Sequence, residues 1–109
     1  AADRMATDLA HLTDAWQPAV LQLIAITAAA GREAGKPVGV CGEAAADPLL
    51  ACVLAGMGVT SLSMASAAAR PVGATLAGTT IDQCSEAAEL ALAAADPESA
   101  RAAVLSLLG

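Results

Sequence analysis

The chain has no Phe and no Tyr, and Trp16 is its one aromatic residue. Basic residues are scarce too, five Lys and Arg against eleven Asp and Glu, for a formal net charge of −6. Proteins that hold nucleic acid stack bases on aromatics and line the path with positive charge. Both are wanting here, so nucleic acid is excluded as a partner. Long apolar runs are lacking as well: residues 19–26 and 49–59 stop short of the roughly 18 residues a membrane-spanning helix requires. No membrane insertion is expected. The opening Ala1-Ala2-Asp3-Arg4 shows no basic stretch ahead of an apolar one, hence no signal peptide. His11 is the single histidine, and Cys41, Cys52 and Cys84 have no C-x-x-C spacing, which leaves no zinc set. Three cysteines in apolar surroundings read as reduced thiols, in keeping with a cytoplasmic chain.

What is present is apolar and small. Hydrophobic residues make up 57% of the 109, with Ala foremost, which rules out disorder and favours close helix packing around one core. Pro18 opens a helix over residues 18–34 that buries Val20, Leu23, Ile24, Thr27 and Ala28, and Gly35 with Pro37 stops it. Residues 37–41 form a short β-branched strand, bounded by Gly42. Asp47-Pro48 caps a helix over residues 48–57, which Gly58 ends. A second strand follows at 59–64, then a weak helix at 67–78 that contains Pro71 and Gly73. Thr80 and Gln83 make a capping box for a helix to about residue 95. Asp96-Pro97 caps the last helix, through Leu108, with Val104, Leu105 and Leu108 on one face. A brief helical turn is expected at residues 9–12, with residues 13–16 as a connection on which Trp16 plugs the loop onto the first helix.

Helices alternating with strands imply parallel strands joined by a right-handed crossover, an α/β class. Yet parallel sheets are covered on both faces, and two strands cannot supply that cover. The topology is incomplete, and a chain that begins Ala-Ala-Asp-Arg without Met reads as starting partway through something.

Chemistry concentrates in residues 35–43, Gly-Lys-Pro-Val-Gly-Val-Cys-Gly-Glu. Cys41 falls at the carboxyl end of a parallel strand, where α/β barrels place catalytic side chains. An ordinary thiol, with pKa about 8.5, is protonated at neutral pH and can act as a general acid. The competing reading of Cys41 is a buried small hydrophobe. Cys52 and Cys84 sit at helical core spacing and read as structural. Glu86, Glu89, Asp96 and Glu98 read as a solvated face and not as a metal site.

The blocks Ala1-Ala2-Asp3-Arg4, His11-Leu12, Pro18-Ala19-Val20-Leu21, residues 35–43, Asp47-Pro48, Gly56-Met57-Gly58-Val59 and Leu62-Ser63-Met64 span nearly the whole chain. Together they resemble the C-terminal end of the phosphoenolpyruvate-utilising enzymes. Within that family they are most similar to the phosphoenolpyruvate–protein phosphotransferase branch, enzyme I of bacterial sugar phosphotransferase systems. Gly-Val-Cys-Gly-Glu is the most specific block, and Arg4 stands 37 residues before Cys41, as in the family. The dikinase branch continues Cys-Gly-Glu with a His and glycines, where this chain has Ala44-Ala45-Ala46.

The resemblance implies a fragment of a (β/α)8 barrel, its last two strands and trailing helices, with residues 1–109 as the C-terminal portion of the phosphoenolpyruvate-binding domain. It implies that Cys41 protonates the enolate of pyruvate and that Arg4 binds phosphoenolpyruvate, as a planar guanidinium suits phosphate or carboxylate. Glu43 orients the site or simply accepts from backbone N–H groups; both readings stay open. It further implies Mg2+ held by carboxylates upstream of this chain, a phosphocarrier protein as partner in sugar uptake, and a homodimer. His11 does not match the phosphorylated histidine, which belongs to a separate domain. The alternatives are a non-catalytic helical interaction module, with Cys41 merely buried, and a fragment of a phosphoenolpyruvate synthase or pyruvate phosphate dikinase.

Overall fold

A computed structural model of the chain describes residues 14–109, so the turn expected at residues 9–12 lies outside the described residues. The order is α1 (Pro18–Ala34), β1 (Gly39–Cys41), α2 (Glu43–Ala46), α3 (Pro48–Met57), β2 (Ser61–Ser63), α4 (Ser66–Ala77), α5 (Ile81–Ala93) and α6 (Pro97–Leu108). This is a helix-rich unit with two parallel strands, in which Gly39 pairs with Ser61, Val40 with Leu62 and Cys41 with Ser63.

Local chemistry sets the helix ends. Pro18 and Pro48 occupy first-turn positions, where no N–H is needed. The left-handed Gly35 closes α1: its N–H bonds Arg32 O, while the Lys36 N–H bonds Gly31 O at 2.8 Å. Gly58 closes α3 in the same manner, and the Arg32 guanidinium donates to Met57 O at 3.3 Å across the same end. The Thr80–Gln83 capping box opens α5, and Asp96 caps α6 through the Ser99 N–H at 2.7 Å.

The strands are shorter than the β-branched runs predict. Pro37 has no N–H to offer a ladder. The Thr60 hydroxyl then takes over Val38, accepting from its N–H at 2.9 Å and donating to its carbonyl at 3.0 Å. At the start of the second run, the Val59 N–H is claimed by Leu54 O at the end of α3. Regular pairing therefore begins only at Gly39 and Ser61.

α3 is the central element, with Leu50, Ala51, Cys52, Val53, Leu54 and Met57 all buried. Leu21 and Ile24 of α1, Ala87 and Ala91 of α5, and Ala100 and Val104 of α6 pack around it, and Val40 closes the core from the sheet side. Two expectations about faces are corrected. Leu21 is buried where Leu23 was expected, and Thr27 is half-buried with its hydroxyl donating back to Leu23 O at 2.9 Å. Leu105 is 53% exposed: the core-facing stripe of α6 passes through Ala100 and Val104 instead. α2 is an addition, a single turn that the Ala-rich run after Gly42 supports. The weak α4 forms despite Pro71, and only Val72 is buried along it.

Candidate functional site

The sheet has two unlike faces. Val40 is 5% exposed and Leu62 is half-buried, both against the helical core. Gly39, Cys41, Ser61 and Ser63 alternate onto the other face, which no described element covers. Cys41 is thus an exposed, free thiol at the carboxyl end of β1. The buried-hydrophobe reading of Cys41 does not hold.

The backbone around the thiol is held firmly. The Gly42 N–H bonds Ser63 O at 3.0 Å, extending the pairing one residue past Cys41. Gly42 itself has φ 90° and ψ −152°, a conformation that a side chain would oppose. The chain can turn away directly after the thiol because this residue is glycine, and α2 begins at once. Glu43 lies exposed on its first turn and lines a polar cleft with Asp14, Trp16, Asp47 and Arg101.

Asp47 lines that cleft and divides its two carboxylate oxygens. One carboxylate oxygen caps α3, accepting from the Leu49 and Leu50 N–H groups at 3.1 and 3.4 Å. The other accepts from the indole Nε1 of Trp16 at 3.0 Å and from Arg101 at 3.5 Å. Trp16, 4% exposed, is therefore pinned by its polar edge, and the Arg101 guanidinium lies over its ring, 6.0 Å from the centroid. Sequence reasoning saw Asp47 as a cap and Trp16 as a plug. Their pairing carried no signal beyond the need of a buried indole N–H for an acceptor.

Cys52 and Cys84 are buried, as their spacing predicts, and face the Thr79 hydroxyl at 3.9 and 3.6 Å. Burial pushes the Cys52 thiol above its ordinary range, and the neighbouring Cys84 adds to the shift. Such a thiol stays protonated and inert. Arg4 and His11 lie outside the described residues, so the geometry joins neither of them to Cys41. Among the described residues no group of three or more His, Cys, Asp or Glu converges on a point where a metal ion would sit. None of them is assigned to Mg2+, and no step below runs through it. No described helix is long and apolar enough to cross a membrane.

The family model described as "PEP-utilising enzyme, PEP-binding domain" matches residues 1–81, and so contains both β1, with the Cys41 thiol at its end, and β2. The chain belongs to the phosphoenolpyruvate-utilising enzymes. It is 56% identical over 108 residues to the phosphoenolpyruvate-protein phosphotransferase of Streptomyces coelicolor, an alignment covering 99% of this chain and 19% of that protein. The phosphotransferase of Cupriavidus necator is 39% identical over 98% of the chain and 18% of its own length. A multiphosphoryl transfer protein of Xanthomonas campestris is 40% identical over 94% of the chain and 12% of its own length. The chain thus spans about a fifth or less of these members of the phosphoenolpyruvate-utilising family, and the similarity to the phosphotransferases continues through α5 and α6, beyond the family match.

Proposed function

We propose that the chain is the C-terminal portion, the last two strands and trailing helices, of a (β/α)8 barrel in a phosphoenolpyruvate–protein phosphotransferase, and that Cys41 is its general acid. The observation that carries this reading is the position of Cys41. It is exposed, at the carboxyl end of a parallel strand, on the sheet face turned away from the helices. In a (β/α)8 barrel the helices cover the outer face of each strand and the chemistry lies at the carboxyl ends.

In the full protein, phosphoenolpyruvate passes its phosphoryl group to a histidine of another domain, and the enolate of pyruvate is left behind. The Cys41 S–H bond breaks and its proton goes to C3 of the enolate, whose electron pair forms the new C–H bond. Pyruvate leaves as the keto acid. Arg4 binds phosphoenolpyruvate, Glu43 supports the site, and the histidine hands its phosphoryl group to a phosphocarrier protein in sugar uptake. A cytoplasmic homodimer completes the proposal. The names of the relatives support the substrate and the carrier.

Cys41→Ala in the full-length protein tests it. Phosphorylation of the histidine from phosphoenolpyruvate should persist, while release of keto-pyruvate slows by about 100-fold or more, the usual worth of a general acid. Unchanged pyruvate release, followed by NMR, would remove Cys41 from the role.

A further inference from the structure

The uncovered sheet face holds a second group beside the thiol. Cys41 and Ser63 are partners in the parallel register, both exposed, on strands spaced about 4.8 Å apart. Their side chains leave the same face, because Val40 and Leu62, the alternate pair, are turned into the helical core. The lean of the β2 side chains is visible one pair earlier. A Cβ placed on Gly39 would lie 2.8 Å from the Ser61 hydroxyl oxygen, so that hydroxyl already reaches over β1. Two residues on, the position equivalent to Gly39 is Cys41 and the position equivalent to Ser61 is Ser63. The bond from the Gly42 N–H to Ser63 O at 3.0 Å fixes this pair against slippage.

We propose that Ser63 is a positioning residue for Cys41, its hydroxyl turning to donate a hydrogen bond to the thiolate left when the acid has given up its proton. This rests on the general-acid reading of Cys41 and adds to it. When the S–H proton has moved to C3 of the enolate, the sulfur is an anion that needs a donor. The Ser63 O–H supplies one without itself being consumed. The thiolate then recovers its proton from solvent water through the same hydroxyl, which passes its proton to sulfur and takes one from the water; the hydroxide left is neutralised by buffer. A hydrogen bond to a charged group is among the stronger ones.

The test uses the full-length protein in D2O and follows exchange of the pyruvate methyl protons by NMR, which reads the proton step in reverse. Phosphorylation of the histidine is measured in parallel. Ser63→Ala should slow exchange roughly tenfold or more at saturating pyruvate, with the KM for pyruvate and histidine phosphorylation unchanged, and Ser63→Thr should restore it. Wild-type exchange in Ser63→Ala alongside lost exchange in Cys41→Ala overturns the role of Ser63 and leaves the acid in place. A loss in Ser63→Ala that Ser63→Thr fails to recover, with KM and phosphorylation falling together, marks a merely structural residue and also overturns it. Full exchange in Cys41→Ala overturns the general-acid reading itself.

Discussion

Asp47 shows how much one carboxylate can hold together at the scale of a residue. It caps α3 with one oxygen, while the other takes the Trp16 indole N–H and the Arg101 guanidinium. Arg101 is 58% exposed, so its ion pair contributes little. Asp47→Ala removes a cap worth about 1 kcal/mol and leaves a buried indole N–H unpaired, for a further ~1–3 kcal/mol. The urea midpoint should fall accordingly, and Arg101→Ala should scarcely move it. Cys52 predicts a pH dependence. Burial holds its folded-state pKa above the unfolded value, so the unfolded chain releases the proton first as pH rises. The stability this confers is fully present below about pH 8.5 and is lost as pH climbs through the folded value. Urea midpoints at pH 7 and pH 10 should differ, and by less in Cys52→Ala. The cap at Asp47 was legible because Asp before Pro at a helix start is local chemistry. Its bond to Trp16, 31 residues earlier, was not.

Among the elements, α3 and α5 pack more closely than ordinary side chains allow. A Cβ on Gly56 would lie 2.0 Å from Cys84 O, so the backbone of α5 rests directly on this glycine. Gly56→Ala should gain a little helix propensity yet destabilise by about 1–3 kcal/mol through overpacking. Thermal unfolding decides which effect wins, and a raised Tm would refute the close contact. All five long helices were legible, since Pro, Asp, Thr and Gly mark most of their ends through short-range bonds. The strands were legible in place but not in length. Their true limits depend on the Thr60 hydroxyl, which meets Val38 only after the chain has folded back across 22 residues.

Taken whole, the molecule has one well-made side and one open side. The helical side carries the buried core, while the sheet has two strands among the described residues, with their open edges and the face of Gly39, Cys41, Ser61 and Ser63 uncovered by any described element. Open strand edges invite pairing. The 109-residue chain expressed alone should self-associate, its mass by light scattering rising with concentration, and should not turn over phosphoenolpyruvate even with Mg2+ and a carrier protein. A monomer at all concentrations, or turnover, would refute the barrel-fragment proposal. The sequence by itself determined the long helices and the parallel order of the strands, and it placed Cys41 at a strand end, because capping residues and apolar spacing act over a few residues. Only the tertiary structure decided that Cys41 is exposed, that Ser63 stands beside it and that Asp47 binds Trp16. Register and burial are set by groups distant in the chain, and they exist only once the core has brought those groups together.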